Sequence, residues 1–310
     1  MSDDSLSMLG VLKRAGESLL LSGGPVAIAR RAFRHRCLIL AYHNVLPDGA
    51  EPGADLSLHL PRADFANQLE QLTRHCEVIP LAALTGSRSH GDRPRVAITF
   101  DDAYSGAITA GVDELVKRGL PATFFVCPGF VGGRAFWWDA VRSGKSPESF
   151  ARLRATSLSD WKGQDDKVRD NAVKMGFTIH EPPSHARAAT EAELTRAANM
   201  PGIMFGSHTW SHSNLTRLTD VELSGELERS LTWLHEWFGN VSSWLSYPYG
   251  LADSRVETAA RSAGYQGALR VEGGWLPEVP SNWFQLPRLN VPAGASIKRF
   301  AIQIAGLLSG

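Results

Sequence analysis

Asp101 and Asp102 stand side by side directly after the apolar run Val96 to Phe100. Two carboxylates at the end of a buried strand are costly unless a cation pairs with them. Neighbouring strand-end residues point to different sides, so one can bind a metal while the other stays free as a base. His208 and His212, four apart in Ser207-His208-Thr209-Trp210-Ser211-His212, follow a second short apolar run, Ile203 to Phe205. One carboxylate and two imidazoles with an open position suit a divalent metal that must also bind water. Such a metal lowers the pKa of its water to about 7 and makes a nucleophile for attack on a carbonyl. Taken singly, an Asp pair could cap a following helix and a His-x-x-x-His spacing could be chance. Both features at strand ends together point to catalysis.

The surrounding elements must bring these ends together. Residues 37 to 42 (CLILAY), 96 to 100 (VAITF) and 122 to 127 (ATFFVC) read as buried strands, and Ala107 to Arg118 reads as a helix stopped by Gly119. Strand, helix, strand at this spacing is a βαβ unit and favours a parallel sheet. Between about 137 and 198 the strand signal gives way to polar helical segments, which reads as a helical insertion. The alternation resumes with Ile203 to Phe205. A helix follows from Thr219 to Phe238, opened by the capping-box pattern Thr219 to Glu222 and closed by Gly239. Trp244-Leu245 and Gly267 to Val271 read as further strands, and Arg288 as a strand-end residue. Ile297, Phe300, Ala301, Ile304 and Leu308 form the apolar face of a C-terminal helix.

Composition limits the rest. In 310 residues, 43% apolar and 21% charged, there is enough apolar side chain for a sizeable core. Thirty-two Lys and Arg balance 32 Asp and Glu, so a nucleic acid is not the expected partner. The three cysteines, Cys37, Cys76 and Cys127, have unrelated spacings and do not suggest a disulfide scaffold. No apolar stretch is long enough to span a bilayer. The N-terminus does not resemble a signal peptide, so the expected location is cytoplasmic. The segment 1–36 carries Lys13, Arg14, Arg30, Arg31, Arg34 and Arg36 among apolar residues. It reads either as a solvated basic helix face or as a peripheral contact with an anionic membrane.

Thr99-Phe100-Asp101-Asp102-Ala103-Tyr104 together with His208-Thr209-Trp210-Ser211-His212 resembles the first two motifs of the NodB-like polysaccharide deacetylases, carbohydrate esterase family 4. The resemblance covers about residues 37–292, with 137–198 as the insertion and 293–310 as a C-terminal helix. It implies an α/β fold, a deformed (β/α) barrel of about seven parallel strands of the glycoside hydrolase/deacetylase type. It also implies a metal-dependent hydrolase that removes acetyl groups, mostly N-acetyl, from a sugar of a polysaccharide or glycan precursor. Asp101 would be the base, and Asp102, His208 and His212 would hold the metal, usually Zn2+, with Co2+, Ni2+ or Mn2+ as substitutes.

Two departures from the family pattern matter. Its third motif has an Arg two residues before a Pro, an aromatic residue and Gly. Here Leu245-Ser246-Tyr247-Pro248-Tyr249-Gly250 has Ser246 at the Arg position. The turn can still offer the Tyr249 backbone N–H to an oxyanion, but the cation that orients the base is missing. Arg288 is the candidate replacement, with a surface arginine as the other reading. The family's late Leu-x-His motif is absent too, since no His follows His235. Tyr42-His43-Asn44-Val45 resembles the Tyr-His segment of a permuted branch, which makes His43 the candidate acid and a core or capping His the alternative.

Tyr104, Trp210 and Tyr247 are candidate sugar-stacking residues, whereas Trp137 and Trp138 read as rim packing. His59 and the other histidines outside strand ends receive no role. Three further readings stay open: a glycan-binding protein with a decayed site, an O-acetyl esterase, and another C–N amidohydrolase on the same barrel. The oligomeric state is not legible.

Overall fold

The computed structural model describes residues 24–52, 55–85, 91–142 and 147–307. Lys13, Arg14 and the rest of the segment before residue 24, as well as Leu308, lie outside them.

Short, almost wholly apolar runs become strands buried on both faces, as expected of a parallel sheet covered by helices. In chain order the strands are β1 (Cys37–Tyr42), β2 (Asn44–Leu46), β3 (His59–Pro61), β4 (Glu77–Ile79), β5 (Arg95–Phe100) and β6 (Ala122–Val126). They continue with β7 (Val141–Arg142), β8 (Thr178–Ile179), β9 (Ile203–Ser207), β10 (Val241–Ser246), β11 (Gly267–Gly273) and β12 (Leu286–Asn290). The main sheet runs β1-β12-β11-β10-β9-β6-β5 and closes through a parallel β1–β5 pairing, Cys37 opposite Arg95 through Tyr42 opposite Phe100. These seven strands form the barrel and follow one another around it in chain order. The short β4 pairs with the first half of β5, Glu77 opposite Arg95, while β6 takes its second half, Thr99 opposite Thr123.

Because all seven strands run the same way, the residues that follow β1, β5 and β9 emerge at one rim. His43, Asp101-Asp102 and His208 are those residues. Arg288 is not at a strand end, as the sequence suggested, but in the middle of β12, with its side chain inside the barrel.

The helix Asp220–Trp237 has Thr219 as N-cap in a capping box with Glu222 and buries Leu223, Leu227, Leu231 and Leu234. It ends before Gly239. Phe238 is already extended, so an extended residue rather than a left-handed glycine stops it.

The stretch 137–198 is helical, with Pro147–Ser159 and Asp165–Lys174, but it also carries the antiparallel pair β7–β8, too short to read in sequence. Its last helix, Glu191–Ala198, packs Leu194 and Ala197 into the same core as Ile203, and so leads into β9. The cysteines are buried and free, as expected of Cys127 in its apolar run. No helix among the described residues is long and apolar enough to cross a membrane.

Candidate active site

Asp102, His208 and His212 converge at the rim, each offering a ligand atom within 4.8 Å of the others. The Nε2 atoms of His208 and His212 stand 3.5 and 3.3 Å from Asp102 Oδ1, which is buried and has no hydrogen-bond partner among the described residues. These separations exceed good N–H···O hydrogen bonds. A buried carboxylate oxygen faced by two imidazole nitrogens at such distances is a donor set suited to a cation. Burial raises the Asp102 pKa well above the carboxylate range, and the neighbouring Asp101 and Asp139 charges add to this. Burial likewise lowers His208 and His212, so both imidazoles are neutral and able to ligate. His208 Nδ1–H donates to the Ser246 carbonyl at 2.7 Å, which turns Nε2 toward Asp102.

The backbone bends sharply to make this cluster. Asp102, Ala103, Thr209, His212 and Tyr249 all have left-handed φ, from 48° to 68°. For residues with a Cβ such φ values are uncommon, cost of order 1–2 kcal/mol each, and gather at functional sites.

On the other side of the pair, Asp101 is clamped by Arg288. Nη1 donates to Asp101 Oδ1 at 2.8 Å and Nη2 to Oδ2 at 2.6 Å, a bidentate fork within the barrel. The remaining guanidinium donors are also used. Nη2 donates to Ser246 Oγ at 2.8 Å, Nη1 to Thr99 Oγ1 at 3.2 Å and Nε to the Arg270 carbonyl at 2.6 Å. The serine at the motif's arginine position thus touches a guanidinium that arrives from β12 instead. Burial opposes ionisation of Asp101, but Arg288, with His208 and His43, outweighs it and holds the carboxyl well below its usual range.

A cavity of about 240 Å³ opens above these groups. His43, Asp101, Asp102, His208 and His212 form its floor, and Trp137, Trp138, Tyr247 and Tyr249 its aromatic wall. Burial lowers the His43 pKa to about 4, with Arg288 and His208 adding to the effect and Asp101 opposing it. Tyr247 is fixed by donating to the Phe284 carbonyl at 3.1 Å, and Trp137 Nε1 donates to the Tyr249 hydroxyl at 3.3 Å.

Two expected sugar-stacking residues are elsewhere. Tyr104 does not face the groove. The successive left-handed residues Asp102 and Ala103 turn the chain inward, and Tyr104 is fully buried, donating to Asp139 Oδ2 at 2.6 Å. Trp210 is diverted by the left-handed Thr209 and lies under the Arg229 guanidinium, 3.6 Å from the ring centroid, at a separate surface crevice. Conversely Trp137 and Trp138, read as rim packing, line the cavity. Sequence reasoning also missed Asp139 and His59, a fully buried pair 2.8 Å apart. It missed Asp55 and Arg154 at the mouth, 4.0 Å apart. The adjacency Trp137-Trp138-Asp139 was the available signal, since an acid between apolar residues must find a partner.

Comparison with known proteins follows the same lines. The sequence model described as polysaccharide deacetylase matches residues 88–268, more than half of the chain. A stretch of 106 residues is 32% identical to chitin deacetylase 2 of Saccharomyces cerevisiae, covering 34% of this chain and 31% of that protein. Another of 99 residues is 32% identical to chitin deacetylase 1 of Cryptococcus neoformans var. grubii, covering 32% and 20%. The chain therefore spans less than a third of the length of these two relatives. Among solved structures, the deacetylase PplD of Streptococcus pyogenes, in complex with acetate, superposes with a TM-score of 0.61 and 16% identity over 87% of this chain and 99% of that one. A polysaccharide deacetylase from Bacillus cereus gives 0.62 and 17% over 88% and 70%. At these identities the likeness is one of fold.

Proposed function

Because the chain belongs to the polysaccharide deacetylase family, we propose that it is a metal-dependent hydrolase that removes the N-acetyl group from a sugar residue of a polysaccharide or glycan precursor. The observation that carries this reading is the juxtaposition of the Asp102–His208–His212 donor set with an Asp101 held ionised by Arg288 on the floor of one cavity.

Asp102, His208 and His212 would hold the metal. One carboxylate and two imidazoles fit Zn2+ best, with Co2+, Ni2+ or Mn2+ as substitutes. When bound, the metal supplies a polarised acetyl carbonyl and a water acidic enough to ionise near neutral pH. Asp101 orients the attacking water and accepts its proton. The Arg288 fork keeps Asp101 available as a base at all working pH values, at some loss of basicity, which the water's acidity offsets.

The Tyr249 backbone N–H faces the developing oxyanion. His43 protonates the leaving nitrogen as the C–N bond breaks. Burial lowers its pKa, so it enters neutral. The proton that Asp101 takes from the attacking water passes to His43 across the shared cavity, because Asp101 is the weaker base, and from His43 to the leaving nitrogen. Acetate and a free amine leave. Trp137, Trp138 and Tyr247 supply apolar walls for the acetylated ring.

The same apparatus would cleave an O-acetyl ester. A decayed, glycan-binding site was suggested by Ser246, and Arg288 restores the cation whose absence motivated it. For location, Ile28 and Arg31 are exposed on the helix Gly24–Phe33 and support a peripheral contact with an anionic membrane. Unchanged partition of an Ile28→Ser, Arg31→Ser variant onto anionic vesicles would end that suggestion.

The deciding experiment is acetate release from N-acetylglucosamine oligomers and from an aryl acetate, before and after chelation and with zinc or cobalt restored. Release that depends on metal and is lost in Asp101→Asn is expected. A protein that binds metal yet releases acetate from neither substrate removes the deacetylase reading.

A further inference from the structure

The two histidines of the donor set are supported differently. His208 has the usual arrangement, its far nitrogen donating to a backbone carbonyl. His212 differs, because among the described residues no other residue hydrogen-bonds its buried Nδ1. Packing must therefore fix its ring. Trp138 lies against it with centroids 4.8 Å apart, Tyr249 meets it edge-on at 4.6 Å, and Phe136 stands at 6.0 Å.

Trp138 is itself tied down from behind. Its Nε1–H donates to the Tyr104 hydroxyl at 2.8 Å, and that hydroxyl donates to Asp139 Oδ2 at 2.6 Å. His59 Nε2 meets Asp139 Oδ1 at 2.8 Å. The Asn44 amide nitrogen is 2.9 Å from His59 Nδ1 and 3.0 Å from the His185 carbonyl. An amide nitrogen facing a carbonyl is a donor, so His59 Nδ1 accepts and Nε2 carries the proton given to Asp139. Trp138, Tyr104, Asp139 and His59 are all buried, the last three almost completely. A buried charge linked to a chain of satisfied donors makes a rigid unit, since breaking any bond leaves a polar group without water.

We propose that this buried relay, His59–Asp139–Tyr104–Trp138, positions His212 for metal binding, as the Ser246 carbonyl positions His208. The inference rests on the metal-site reading above. Tyr104 and Asp139 are positioning residues. They touch no substrate and act through the Trp138 indole.

The test is metal affinity. Zinc and cobalt binding to the metal-free protein are measured by titration calorimetry and by the visible absorption of bound cobalt, for wild type, Tyr104→Phe, Trp138→Phe and Tyr42→Phe. Tyr42 loses a comparable buried hydroxyl bond, to Gln68 at 2.9 Å, on the far side of β1, and so controls for stability alone.

Tyr104→Phe and Trp138→Phe should each lower affinity by about tenfold to a hundredfold, the usual effect of removing an outer support, and should shift the cobalt spectrum. Tyr42→Phe should do neither at a similar thermal midpoint. Wild-type affinity and spectrum in both Tyr104→Phe and Trp138→Phe would overturn the relay while leaving the metal site intact. Equal losses in all three variants would overturn it as well, by reducing it to stability. If wild type itself binds neither metal, the metal-site reading fails first and takes the relay with it.

Discussion

Replacing Arg288 with methionine removes the guanidinium fork while keeping most of the side-chain length, and leaves Asp101 buried at 3% exposure without its ion-pair partner. Removing one member of a buried ion pair costs about 3–5 kcal/mol, because the other charge stays desolvated. For a chain of 310 residues that corresponds to a thermal midpoint lower by roughly 5–8 °C. Asp101 can escape part of the cost by taking up a proton. In wild type its pKa is held below the ordinary 3.8 by Arg288 against the opposing effect of burial. The variant loses the largest effect that opposes burial, so its Asp101 pKa rises.

The sign of the pH dependence follows. A lowered folded-state pKa contributes stability above the unfolded value near 4 that is lost as pH falls. A raised one contributes stability at low pH that is lost as pH rises through it. The stability gap between wild type and Arg288→Met should therefore widen from about pH 4 upward until the raised value is passed. Activity should change in parallel. With Asp101 partly protonated, kcat at neutral pH should fall by about a hundredfold or more, the lower range for loss of a general base. It should recover partly as pH rises. Arg288→Lys, which keeps a charge but not the fork, should fall between the two. Urea unfolding from pH 4 to 8 and a pH–rate profile of acetate release read both quantities. Activity within twofold of wild type with an unmoved profile would refute the clamp.

Other outcomes follow from the same geometry. His43→Ala should slow release from an N-acetyl sugar by about a hundredfold while sparing an aryl acetate, whose phenolate leaves without a proton; equal losses on both would take the acid role from His43. Ser246→Ala removes one hydrogen bond from Arg288 Nη2 but not the fork, so stability should drop by about 1 kcal/mol and kcat by only a few-fold. A hundredfold loss there would mean that the fork depends on Ser246. Zinc added at about a thousand times its Kd should stabilise the metal-free protein by about 4 kcal/mol in thermal unfolding, and a midpoint that no divalent metal moves would dismiss the Asp102–His208–His212 site.

Much of this protein is legible along the chain. Apolar runs such as Cys37 to Tyr42 and Val96 to Phe100 are too short for buried helices and alternate with helical periodicity, so the parallel strands and the polar groups at their ends can be read directly. Asp101, Asp102, His208 and His212 stand out because carboxylate and imidazole at strand ends have few other uses, and the Thr219 capping box fixes a helix start to the residue.

Tertiary structure decided what depends on turning the chain and on distant partners. Whether Tyr104 faces a groove or the interior hangs on two left-handed residues before it, and left-handed φ at Asp102 and Ala103 has no signature when no glycine marks it. Arg288 lies 187 residues from Asp101, and nothing local separates a clamp inside a barrel from a charge at its surface. Only closure of β1 against both β5 and β12 puts them face to face. The pairing of His59 with Asp139 across 80 residues is of the same kind. Local physics fixes what each segment becomes, and burial, a property of the assembled barrel, decides which charges must meet.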